Sequence, residues 1–132
     1  MTGRFPRARR LLSTRDFDRV YALKQRAGDD QLLVFAAPGP AGTTRIGLSV
    51  SRKHGNSVVR HRIKRLLREA YRLAQSELPE GLDVVLIPRV GAAAGVAEYQ
   101  ASIRKLLPRL ARRLASSTQP SADGSPSAGG TK

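Results

Sequence analysis

The stretch RIGLSVSRKHGNSVVRHRIKRLLREAYR, residues 45–72, holds two periodicities back to back. Ile46, Leu48 and Val50 alternate with Arg45, Gly47, Ser49 and Ser51, the two-residue repeat of a half-buried strand with one core face and one small, polar face. Past Asn56 and Ser57, either of which suits a helix cap, the repeat becomes helical and runs to about Ser76, where Pro79 and Gly81 stop it. At about 100° per residue, Val59, Ile63, Leu66, Leu67, Ala70, Leu73 and Ala74 fall within roughly 120° of one another. Arg60, His61, Arg62, Lys64, Arg65, Arg68 and Arg72 cover the remainder, diluted only by Glu69. Like charges a turn apart repel by a few tenths of a kcal/mol per pair, so a helix face that only has to be solvated usually mixes signs. This face is nearly all cation, and a planar guanidinium grips phosphate through two N–H groups or stacks on a base. Arg60 and Arg62 diverge by about 200°, so they flank a curved partner rather than share one flat contact. The loop Arg52, Lys53, His54 and Gly55, with the capped helix start at Asn56, supplies further anion contacts.

Working outward, residues 82–87 form a nearly continuous apolar strand, the pattern of burial on both faces, and strand, helix, strand implies a parallel pair. Residues 31–37 read as a strand ending at Pro38, Gly39 and Pro40, which predicts a hairpin with 45–51. Ser13, with Asp16 three residues on and Leu12 and Phe17 as a hydrophobic staple, starts a first helix to about Leu23. Phe17, Val20 and Tyr21 lie on one stripe of that helix, and Gly28, Asp29 and Asp30 break the chain after it. A last helix over 98–114 carries Tyr99, Ile103, Leu106, Leu107 and Leu110 on one side, with a kink expected at Pro108. Residues 1–10 are expected to form a basic arm, 11–114 one domain, and 115–132 a disordered Ser, Gly and Pro-rich tail without the apolar groups to offset ordering.

The 132 residues suffice for one modest core, and 24 Lys and Arg against 10 Asp and Glu leave a net charge of +14. A polyanionic partner follows, bound partly by counterion release. The absence of cysteine excludes disulfides, thiolate metal sites and a cysteine nucleophile. No apolar run approaches the ~20 residues of a membrane helix, and the Arg-rich start reads as a folded basic arm rather than a transit peptide, because folding signals follow it directly.

Residues 45–72 resemble the most characteristic segment of bacterial ribonuclease P protein subunits. The resemblance continues through DFDRVY (16–21), DVVLIPR (83–89) and the last helix, over about residues 10–113. His61 stands where the family usually has Asn, and Ser57 where it usually has Ala. The resemblance implies an α/β (α+β) sandwich of three helices on a small mixed sheet of about four strands, of the kind seen in the second domain of ribosomal protein S5. It also implies a left-handed strand-helix-strand crossover, against the ~98% right-handed rule. The basic helix and its loop (Arg52, Lys53, Asn56, Arg60, His61, Arg62, Lys64, Arg65, Arg68 and Arg72) would bind the catalytic RNA subunit. That RNA, with Mg2+, would perform the hydrolysis, leaving the protein no catalytic or metal-ligating residue. A cleft between the first helix and the sheet would receive the single-stranded 5′ leader of precursor tRNA on Phe17, Tyr21 and Phe35. Arg45 and Ser49, on the small polar face of their strand, line the same cleft in this reading. The setting would be the bacterial cytoplasm, with no membrane and no obligate protein partner.

Two other classes compete. A basic ribosomal or DNA-binding protein needs the same charge, but aromatics beside a small-residue sheet face suit unstacked bases better than a duplex. A protein-only nuclease needs clustered carboxylates, and Asp16, Asp18, Glu69 and Asp83 sit in separate predicted elements. An amphipathic helix lying on a membrane is disfavoured because the apolar face lacks Trp and Phe and is needed to cover a sheet. His54 and His61 have no carboxylate nearby in sequence and read as RNA contacts or solvated side chains rather than an acid/base pair.

Overall fold

Ser13 and Asp16 satisfy each other's backbone N–H groups, the Asp16 carboxylate accepting from Ser13 N at 3.1 Å and the Ser13 hydroxyl from Asp16 N at 3.2 Å. That box opens α1 (Thr14–Leu23) in a computed structural model that describes residues 13–91 and 94–117. The staple residue Leu12, the arm and all of the tail beyond 117 lie outside the described residues. There follow β1 (Arg26–Gly28), β2 (Leu32–Pro38), β3 (Arg45–Leu48), a one-turn 3-10 helix (Arg52–His54), α2 (Ser57–Ala74) with a further 3-10 turn (Gln75–Glu77), β4 (Leu82–Pro88) and α3 (Val96–Ser117). The last helix runs through Pro108 and three residues beyond the expected end, so 115–117, expected as tail, are helical.

The four strands form one mixed sheet in the order β1-β2-β4-β3. β3 and β4 are parallel, Ile46 beside Val84 and Leu48 beside Leu86, as the strand-helix-strand pattern requires. The expected hairpin of β2 with β3 does not form. β4 lies between them, antiparallel to β2 from Leu32 beside Pro88 to Pro38 beside Leu82, because only the strand buried on both faces can occupy the centre. β1 is a strand where the sequence showed only a break; three residues ending in Gly28 are too few to display a period.

Strand alternation sorts the core into two. Leu32, Val34, Ala36, Ile46, Val84 and Leu86 face α2 and α3, where Leu67, Ala70, Tyr71, Ala74, Tyr99, Ile103, Leu106, Leu107, Leu110 and Leu114 complete the larger cluster. Ala37 and Val85 face the other way, toward Val20 of α1, with Phe17, Tyr21, Phe35 and Ile87 packed around them. Each face of the sheet is therefore covered, one by two helices and the other by a single short helix. The helical wheel of α2 needs rotating slightly from the expected one: Tyr71 is buried, while Val59 and Leu73 are exposed at its far edge.

α1 is pinned at one corner. Asp83 is fully buried on β4 and accepts a fork from Arg45, Nε to Oδ1 at 2.8 Å and Nη2 to Oδ2 at 2.7 Å, while Arg19 of α1 also donates to Oδ2. Arg19 further holds the Pro38 carbonyl at 3.0 Å, and Asp16 approaches both guanidinium groups from outside at 3.4 and 3.7 Å. A buried carboxylate needs such partners, since an unpaired charge there costs several kcal/mol. The β1–β2 turn is tied to α3 in a similar way: Asp29 accepts from Gln31 N, Leu32 N and the Ser102 hydroxyl, and pairs with Lys105 at 3.2 Å.

Candidate nucleic-acid interface

Asn56 caps α2, its side-chain oxygen accepting from Val59 N at 3.0 Å, and Gly55 before it turns the chain at φ +133°, a conformation open to glycine. His54 fixes the approach to that cap. Its Nδ1 accepts from Ser51 N at 3.1 Å and its Nε2 donates to the Pro88 carbonyl at 2.7 Å, so the loop is strapped to the end of β4. His54 is thus a structural strap, where the sequence suggested an RNA contact or a solvated ring.

Beyond that strap the cations diverge in state. The side chains of Arg52, Lys53, His61, Arg62, Lys64, Arg65 and Arg68 make no hydrogen bond or ion pair among the described residues, and all but the half-buried Lys64 are exposed. Arg60 is anchored, its Nε donating to the Gly55 carbonyl at 3.2 Å. Arg72 departs from the expectation of a free cation: it is forked onto Glu69, Nε to Oε1 at 2.9 Å, which holds the Glu69 carboxyl below the usual carboxylate range. Glu69 is the one acid of α2, so the pairing leaves the rest of the face uncompensated.

On the opposite face of the sheet, Phe17, Tyr21 and Phe35 come together as expected. Phe17 and Tyr21 have ring centroids 6.3 Å apart, and Tyr21 meets Phe35 edge-on at 5.0 Å. All three are half-buried, packing on Val20, Ala37 and Val85 while leaving part of each ring accessible. Gly47 makes this possible: a Cβ there would stand 2.5 Å from Cζ of Phe17, so the ring rests directly on the β3 backbone. Phe17 consequently divides β3. Ser49 lies on one side with half-buried Ile87 and Leu33, and Arg45 lies on the other, forked onto Asp83, which holds the guanidinium charged. Arg45 and Ser49 do not share one open cleft. Two features of this face escaped the sequence: Arg26 stands over the Phe35 ring at 5.9 Å, and Leu33 beside Ile87 extends the apolar floor. Arg26 was hidden because β1 itself was.

The scattered acids are partly reunited, since Asp16 and Asp83 converge on Arg19 and Arg45. They converge as partners of cations. Among the described residues there is no group of three or more His, Asp or Glu placed to hold a metal ion, and a carboxylate pair already filled by two guanidinium groups does not suit Mg2+. Nor is any helix among them long and apolar enough to cross a membrane.

A sheet covered on both faces, an uncompensated cationic helix edge and a half-open aromatic face together define a strongly basic α/β domain without a carboxylate metal centre among the described residues. Comparison with known proteins narrows the class. The chain belongs to the ribonuclease P protein family, whose pattern it matches over residues 5–111. It is 39% identical over 118 residues to the ribonuclease P protein component of Desulfovibrio desulfuricans, covering 86% of this chain and 91% of that one. It is 40% identical to that of Caldanaerobacter subterraneus, covering 74% and 85%. Among solved structures, the ribonuclease P protein of Thermotoga maritima superposes with a TM-score of 0.69 at 27% identity, covering 76% of this chain and 96% of that one. That of Staphylococcus aureus gives 0.63 at 28% identity, covering 80% and 97%. The chain is thus a protein component of ribonuclease P, acting in tRNA processing.

Proposed function

We propose that the outer face of α2 binds the catalytic RNA subunit of ribonuclease P and that the aromatic face beneath α1 receives the 5′ leader of precursor tRNA, in the bacterial cytoplasm. The observation that carries this reading is the row of unpaired cations on α2 (Arg62, Lys64, Arg65 and Arg68) beside a loop strapped rigidly by His54. Phosphates complete that surface where no side chain of the described residues does. Hydrolysis is assigned to the RNA subunit together with Mg2+; this chain contributes position and charge rather than a reacting group. For the leader, Phe17, Tyr21 and Phe35 offer ring surface to unstacked bases, Arg26 and Ser49 border it, and stacking of this kind is worth ~1–3 kcal/mol per base without regard to sequence. Arg45 enters only as the residue that holds β3 and α1 together.

The test is reconstitution. Protein alone leaves precursor tRNA uncut, and addition of the RNA subunit in Mg2+ gives cleavage at the mature 5′ end. Cleavage by the protein alone refutes the assignment of hydrolysis to the RNA. Phe17→Ala in the reconstituted enzyme weakens precursor tRNA and leaves mature tRNA unchanged; equal loss of both marks a packing defect and removes the leader from this face.

A further inference from the structure

Along one edge of α2 the cationic face gives way to a groove closed on its far side by the start of α3. Val59, Ile63 and Leu66 of α2 and Tyr99 of α3 line a cavity of about 610 Å3, with Arg62 at its mouth and the strapped His54 at its back. A second hollow of about 450 Å3 continues it past Arg65, Leu66 and Val96. Volumes of this order hold a small organic group, and apolar walls with a few cations at the rim suit an amphiphilic anion. The exposure of Val59, 39%, is left over at this edge, where the helix turns partly away from the core. Helical geometry puts Arg60 and Lys64 on the opposite flank, so they do not face the groove.

Resting on the reading that α2 binds the RNA subunit, we infer that this groove takes one unpaired nucleotide of that RNA, its base on the Val59, Ile63 and Leu66 floor and its phosphate against Arg62 and Arg65. Charge argues for this occupant over an apolar peptide. Arg62 and Arg65 are without a partner among the described residues, a third lining arginine, Arg89, is held by the Asp29 carbonyl, and the one acid lining the groove among those residues, Glu69, is already taken by Arg72. A base is flat, largely apolar on its faces and attached to a phosphate, which is the combination the floor and the rim require. Sequence reading could not find this, because Val59 and Leu66 look like core on a wheel and only the position of α3 leaves their edge uncovered.

The experiment compares the full chain with Val59→Gln, Val59→Leu and Val58→Gln, each bound to transcribed ribonuclease P RNA. Val58 is the charge-neutral control, 75% exposed and outside the groove. Base-specific chemical probing with reagents covering all four bases is read beside a hydroxyl-radical footprint of the backbone. The wild-type chain, Val59→Leu and Val58→Gln protect the same unpaired base. Val59→Gln exposes it and binds roughly tenfold more weakly at an unchanged salt slope, the scale expected when an amide without a hydrogen-bond partner replaces an apolar contact. Identical base protections in all four proteins overturn the groove assignment while the backbone footprint still stands. Absence of a backbone footprint with the wild-type chain overturns the RNA-binding reading itself, and the groove with it.

Discussion

Arginine does opposite work at the two ends of this molecule. In the corner where α1 meets β3 and β4, Arg19 and Arg45 are matched by Asp16 and the buried Asp83. On the outer face of α2, Arg62, Arg65 and Arg68 face solvent with no acid against them among the described residues, and the helix's one glutamate is reserved for Arg72. The net charge of +14 is thus unevenly spent. What separates an arginine that holds the fold from one left facing solvent is the placement of the acids, and the buried acid, Asp83, is reached only through long-range contacts.

The contrast between the two sets of arginines is greatest at Asp83. Asp83→Asn leaves two guanidinium groups around a neutral amide and costs about 3 kcal/mol in urea unfolding, the low end for a broken buried pair because both arginines are partly exposed. A cost under 1 kcal/mol would make the corner a surface pair and erase the contrast with α2.

Next in size is Asp29, which anchors the β1–β2 turn to α3. Burial alone would raise its pKa, but hydrogen bonds from Ser102, Gln31 N, Leu32 N and Lys105 outweigh burial and hold it at about 2. A depressed carboxyl stabilises the fold above its unfolded pKa, and that contribution is lost as pH falls from about 4 through about 2. Asp29→Asn therefore costs about 2 kcal/mol at neutral pH, and the gap between the two proteins closes over that acid range. A gap independent of pH would mean that the turn is held by shape rather than charge.

Gly47→Ala has a smaller effect, about 1–2 kcal/mol, because the added methyl must displace the Phe17 ring. It lowers the preference of the reconstituted enzyme for precursor over mature tRNA and leaves RNA-subunit binding intact. If the preference persists, the position of Phe17 on β3 does not matter to the leader.

Much of this was legible locally. The change of period between 45–51 and 57–74 gave β3 and α2, the Ser13 and Asp16 spacing gave the start of α1, and the apolar stripe of α3 was buried as expected. The failures with the largest consequence are non-local. Arg45 and Asp83 are 38 residues apart, and no period connects them. The turn after Pro38 looks the same whether or not a later strand inserts between β2 and β3. Phe17 and Tyr21 were legible as one helix stripe and Phe35 joined them only through the family resemblance, but that Phe17 would sit on Gly47 and part Arg45 from Ser49 depended on where α1 crosses the sheet.

The proposed docking of the RNA subunit depends on the exposed arginines of α2, and the salt dependence of RNA-subunit binding tests it. The triple variant Arg62→Ala, Arg65→Ala and Arg68→Ala should melt within about 0.5 kcal/mol of the wild type, since exposed side chains without partners contribute little to stability. Its slope of log affinity against log salt should be shallower by roughly 2–3, about one phosphate contact per arginine. An unchanged slope in a folded triple variant would contradict the account, because the cations of α2 would then not be where the RNA sits.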